Sequence, residues 1–198
     1  MPALTSDTRN FQPAFLKRPL AIALTSLTAA LALFAVLHPS SALAGGCAGA
    51  NKSPERLTSG QLRSAALCLI NQTRAQHGLG PVSSQRKLAK AATGHSRDMV
   101  NRDYFSHDAP GGGSIQTRIG GSGYLSGAHS YTFGEIIGGG SSHKGSPAGV
   151  MKAWMHSAPH RSAILTGSFH DAGVGVARGF PGRGGSGATF TVDFGGRS

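Results

Sequence analysis

At 198 residues the chain has room for one domain with a real core and little more. Its formal charge of +11 favours anionic surfaces such as wall polymers, lipid headgroups or nucleic acid. Arg63, Arg74, Arg86, Lys87, Lys90, Arg97 and Arg102, however, recur at helical intervals with no aromatic residues between them, which is the pattern of a solvated face and speaks against a specific nucleic-acid groove.

Arg9, Lys17 and Arg18 precede the apolar run "LAIALTSLTAALALFAVL", residues 20–37, and Ala42-Leu43-Ala44 follows it. A basic stretch, an apolar stretch and a small-residue A-x-A site are the parts of a secretory signal peptide, so residues 1–44 are expected to be removed after Ala44. An uncleaved membrane anchor is the competing reading, because a run of roughly 18 apolar residues just suffices to span a bilayer. Three of the 19 basic and one of the eight acidic residues lie in this segment, leaving +9 on the remainder. Two cysteines follow, Cys47 and Cys68. In an exported chain such a pair predicts one disulfide, tying a short leader, residues 45–61, to the first helix.

Leu62, Ala65, Ala66, Leu69 and Ile70 form the apolar stripe of an amphipathic helix that Gly78 and Pro81 bring to an end. Asn71-Gln72-Thr73 fits a glycosylation pattern, but inside that helix it reads as accidental. Leu88, Ala91, Ala92, His95 and Met99 mark a second helix, with His95 as a hydrogen-bonded core histidine. A third has Ser146 as N-cap, Pro147 at its first position, and Val150, Met151, Trp154 and Met155 as its stripe. Pro159 biases Ala158 towards an extended conformation, which ends that helix near Ser157 and leaves His156 exposed and His160 just beyond it.

The last part reads as strands. "AGVGVAR", residues 172–178, is one, and "ATFTVDF", residues 188–194, alternates apolar and polar residues as a half-buried strand does. The intervening glycine-rich stretch is a hairpin loop, and the glycine clusters at 111–113, 120–123 and 138–140 read as loops without phosphate-cradle spacing.

The groups with chemistry are Ser106, His107 and Asp108 in a loop after the second helix, Glu135 on a short strand, and His160. Two imidazoles and a carboxylate suit a divalent metal such as zinc, or a general acid and base pair. Each also has a plain structural reading as an exposed histidine, a paired carboxylate or a helix-capping histidine.

In order along the chain, "CLINQTRAQHGLGPV", "LAKAATGHSRDMVNRDYFSHDAPGG", "GYLSG", "GEI", "WMHSAPHRSAIL" and "AGVGVA...ATFTVDFG" resemble the segments of the CAP superfamily of cysteine-rich secretory, antigen 5 and pathogenesis-related 1 proteins, and its secreted bacterial branch above all. The resemblance covers residues 62–195 and implies a CAP domain over 62–198, an α/β fold of the three-layer α-β-α sandwich type with a small antiparallel-type sheet. It implies a cleft tetrad of two histidines and two acids. His107, His160 and Glu135 match three of these and would be the metal ligands if a metal is held. Ser157 stands where the second acid is usual, and Ile136 replaces an asparagine, which the resemblance places near the cleft. The implied protein is exported and extracellular, more a non-enzymatic module for an anionic envelope polymer or lipid than an enzyme. A metal-dependent hydrolase using the same cleft and a basic envelope-adhering protein are the alternatives. Arg161 is expected to serve structure at a helix end or against a carboxylate.

Overall fold

The computed structural model describes residues 46–183 and 186–198; the expected signal peptide lies outside the described residues. Helix α1, Ser59–Gln76, starts at a reciprocal cap: the Thr58 hydroxyl accepts from the Gln61 amide at 3.2 Å, and the Gln61 side chain accepts from the Thr58 amide at 2.8 Å. Leu62, Ala65, Ala66 and Ile70 are buried as their spacing predicts. Asn71 donates to the Val82 carbonyl and accepts from its amide, so its side chain clamps the chain leaving α1, as befits an accidental glycosylation motif.

Strand β1, Ser83–Ser84, leads into α2, Arg86–Asn101, whose stripe of Leu88, Ala91, Ala92, His95 and Met99 is wholly buried. A short α3, Ile115–Gly121, precedes β2, Tyr131–Gly140. Helix α4, Pro147–His156, is capped by Ser146, whose hydroxyl accepts from the Gly149 amide at 3.1 Å. The break expected at Ala158 falls one residue earlier: Ser157 is extended, with ψ 118°, and the chain re-enters a helix, α5, Ala158–Ile164. Pro159 sits in the first turn of α5, where a missing N–H costs nothing, so it starts a helix where it was expected only to end one. His160 is therefore on α5. Arg161 donates to the Met155 carbonyl at the end of α4, the helix-end role expected of it.

Strands β3, Asp171–Arg178, and β4, Ala188–Arg197, form the expected hairpin. The sheet order is β1-β3-β4-β2, with β2, β3 and β4 antiparallel and the two-residue β1 added in parallel. The glycines at 138–140 belong to β2, not to a loop. A Cβ at Gly138 would lie 2.7 Å from the Trp154 indole nitrogen, so their smallness lets α4 lie flat on the strand.

Helices cover both faces. Phe190, Val192 and Phe194 of β4, Val174 and Val176 of β3 and Ile136 of β2 point to one side, where they pack with Leu62, Ile70, Val150 and Trp154. The other face carries α2. There β3 presents Gly173 and Gly175, and β4 presents Thr189, Thr191 and Asp193. The strand expected to be half-buried is thus buried on both faces. The alternation is real, but its polar side lies under a helix. Thr191 accepts from Ser96 of α2 at 2.9 Å and Thr189 donates to the Gly179 carbonyl at 2.8 Å, which satisfies both buried hydroxyls.

Ahead of α1, Cys47 and Cys68 form the expected disulfide. Arg178 donates to the carbonyls of Pro54 and Leu57, and Leu57 joins the core. Replacing both cysteines with serine is expected to cost about 3 kcal/mol, because the closed loop spans a separation of 21 residues in the unfolded chain. Urea unfolding of that variant against the oxidised wild type measures it.

Candidate functional site

Strand β2, the loop after α2, and helices α3 and α5 bring His107, Glu135 and His160 together at the β2 edge of the sheet. The Glu135 side chain is 2% exposed, and its partners come from two segments. His107 Nδ1 donates to Oε1 at 2.8 Å, and Arg118 of α3 donates to Oε2 at 2.6 Å. Arg118 also holds the carbonyls of Gly113 and His107, which ties the 107–113 loop to α3. Nδ1 carries the proton in this bond, which leaves Nε2 as the ring nitrogen not engaged by Glu135. Its side chain is 48% exposed, enough to meet a ligand. His160 lies beside it, with ring centroids 6.5 Å apart. Burial, and then the neighbouring His107, hold the His160 imidazole below its ordinary pKa, so it is neutral at pH 7.

Beneath the cleft lies His95, 1% exposed. Its Nε2 donates to the Ser106 carbonyl at 3.0 Å and lies 3.8 Å from Glu135 Oε1. Burial lowers its pKa against the opposing pull of Glu135, so it is the hydrogen-bonded core histidine its place on the stripe predicts. The Ser106 hydroxyl accepts from the Asp108 amide and makes no bond to His107, so this serine is not an activated nucleophile.

One residue of the site was not foreseen. Asp193 stands directly across the β2–β4 ladder from Glu135 and is fully buried. Neither of its carboxyl oxygens has a hydrogen-bond partner among the described residues. Burial first, and then the charge of Glu135, raise the Asp193 carboxyl well above the usual carboxylate range, which favours its protonated form. Burial pushes Glu135 up as well, but the His107 hydrogen bond and the Arg118 guanidinium outweigh it and hold that carboxyl below its ordinary value.

This pair makes a prediction about pH. A carboxyl whose folded pKa is raised stabilises the fold fully below its unfolded value of about 4 and progressively less as pH climbs towards the folded value. Asp193→Asn keeps a donor towards Glu135 and cannot ionise. Wild-type stability is expected to fall relative to this variant as pH rises above about 4 towards the raised folded value. Urea midpoints of the two proteins across that range are the check, and parallel profiles would show that Asp193 does not hold its proton.

The expected metal set does not fit this arrangement. Among the described residues no group of three His, Cys, Asp or Glu side chains is placed to hold a metal ion. Both Glu135 oxygens are occupied, and Arg118 already neutralises the charge a cation would need. Ser157, at the junction of α4 and α5, supplies no replacement carboxylate. Ile136 bears on another matter than expected: strand alternation turns it away from Glu135 into the core beside α4, so it removes nothing from the cleft. His156 is exposed and takes the Lys152 carbonyl of its own helix, outside the site.

A family model described as the cysteine-rich secretory protein family, CAP, matches residues 67–194. The Bacillus subtilis (strain 168) protein YkwD is 35% identical over 127 residues, covering 64% of this chain and 44% of that protein. The membrane protein YlbC of the same organism is 32% identical over 114 residues, covering 57% and 30%. The chain thus spans less than half the length of these curated relatives. Among solved structures, an extracellular protein containing an SCP domain from Bacillus anthracis str. Ames matches with a TM-score of 0.54 and 27% identity over 70% of this chain and 43% of that one. An outer surface protein from Borrelia burgdorferi shares the fold, with a TM-score of 0.59 at 18% identity over 72% of this chain and 97% of that one. Taken with the sandwich architecture, these matches mean that the chain belongs to the CAP family of cysteine-rich secretory proteins.

Proposed function

We propose that the chain is an exported, non-enzymatic ligand-binding module whose contact surface is the cleft around His107 and His160. One observation carries this reading: both oxygens of Glu135 are committed to His107 and Arg118, so the carboxylate orients an imidazole and is not free for a metal or a water. Neutral His160 and the open Nε2 of His107 offer hydrogen bonds to a polar ligand. Export is supported by the leader pattern of residues 1–44, by the disulfide, and by relatives named as extracellular or outer surface proteins. In this reading residues 45–61 lead into a CAP domain at 62–198. The ligand is an envelope polymer or lipid, and the +9 charge assists its capture.

Zinc titration of the purified protein and co-sedimentation with purified cell-wall sacculi test the proposal. No stoichiometric zinc uptake is expected, and His107→Ala is expected to weaken sedimentation. Stoichiometric uptake that disappears in both His107→Ala and His160→Ala would replace this reading with a metal site. Sedimentation that survives His107→Ala yet vanishes in high salt would assign adhesion to charge alone.

A further inference from the structure

The start of α2 borders a second hollow that the cleft does not use. Between the start of α2 and the turn after α3 lies an open cavity of about 760 Å³, which Arg86, Lys87 and Lys90 line with three positive charges beside the Ser84 hydroxyl; the Ser122 hydroxyl on its rim donates to the Ile119 carbonyl at 2.6 Å. Lys87 spends one of its three donors on the Gly123 carbonyl, at 3.0 Å. Asp171 on the far wall accepts from the Tyr124 hydroxyl at 2.8 Å, which leaves the α2 wall as the cationic one.

A narrower crevice of about 280 Å³ adjoins it, sharing Lys90 and Ser122. Its walls are Ala91 and Gly94 of α2 and Gly121 of α3, and its lining reaches His95 and Arg118. Gly94 and Gly121 face open space, since a Cβ on either would touch nothing within 4 Å.

We propose that this trough is a separate binding site for a phosphate-bearing molecule with a short apolar portion. The phosphate sits on Arg86, Lys87 and Lys90, where three cations and the Ser84 hydroxyl suit a multiply charged oxyanion better than a single carboxylate. The uncharged remainder enters the crevice between Ala91, Gly94 and Gly121. The cationic end lies apart from the His107 surface, Arg118 borders both, and the proposal does not depend on what the cleft binds.

The test is calorimetric titration of the purified protein with hexyl phosphate, inorganic phosphate and hexanol, together with vesicles of phosphatidylcholine with and without phosphatidylglycerol. Hexyl phosphate is expected to bind at least about tenfold more tightly than inorganic phosphate, with hexanol giving no heat. Lys90→Gln is expected to weaken it about tenfold, and Gly94→Leu, which fills the crevice, should cancel the advantage of hexyl phosphate over phosphate; His160→Ala should change neither. Competition between hexyl phosphate and phosphatidylglycerol vesicles would identify a lipid headgroup as the source, and binding of hexyl phosphate without vesicle binding a soluble ester. Equal affinity for the two phosphates, indifference to Lys90→Gln, or vesicle binding without hexyl phosphate binding would overturn the proposal.

Discussion

Arg74→Met is expected to remove about 3–5 kcal/mol of stability, and the urea midpoint should fall accordingly. Arg74 is 2% exposed and has no carboxylate partner among the described residues. Its guanidinium instead serves four carbonyls: Gly80 at 2.8 Å, Ile164 at 2.8 Å, Thr166 at 2.9 Å and Phe169 at 3.1 Å. These acceptors lie on the turn after α1 and on the segment from the end of α5 towards β3, so one side chain pins two distant stretches of chain. Methionine fills the volume but leaves buried carbonyls without donors, which is the costly half of losing a hydrogen bond. Arg74→Lys should recover only part of the loss, because a single ammonium cannot fork to four acceptors. A midpoint unchanged by Arg74→Met would mean that water replaces the guanidinium freely.

Gly175→Ala is expected to cost about 3 kcal/mol or more through overpacking. A Cβ there would lie 2.1 Å from the Ala92 carbonyl carbon, and one at Gly173 would lie 2.1 Å from the Ala89 amide nitrogen. Both obstacles are backbone, so no side chain can swing aside, and α2 itself must lift from the sheet. Gly94→Ala is the control on the same helix, on a side where nothing lies within 4 Å. It should be neutral or stabilising by up to about 1 kcal/mol, as alanine favours a helix over glycine. Thermal unfolding of the two variants separates close packing from helix propensity. Equal effects at positions 175 and 94 would show that α2 does not sit where its contacts place it.

These positions show what could be read in the sequence. The stripes of α1, α2 and α4 were legible because burial there follows a period of 3.6 residues. Helix α5 escaped because proline both ends and begins helices, and local pattern does not say which. Arg74 was grouped with a solvated basic face, since helical spacing cannot tell a guanidinium aimed at carbonyls from one aimed at water. His107, Glu135 and His160 do converge, as the family resemblance implied. Arg118, which takes the second oxygen of Glu135, was not legible, because it comes from a short helix whose sequence carries no signal for it. Asp193 had a signal that went unused: an acid on the polar side of a strand otherwise filled with threonine, in a sandwich covered on both faces.

Arg118 grips Glu135 through one nitrogen and lines the crevice between α2 and α3. It therefore stands in two rooms at once, and reorienting it in one alters the electric field in the other. Thermodynamic reciprocity then fixes the outcome for a pair of guests: any factor by which the first changes the grip on the second is returned unaltered from second to first. A wall between two chambers becomes, through one side chain, a shared lever.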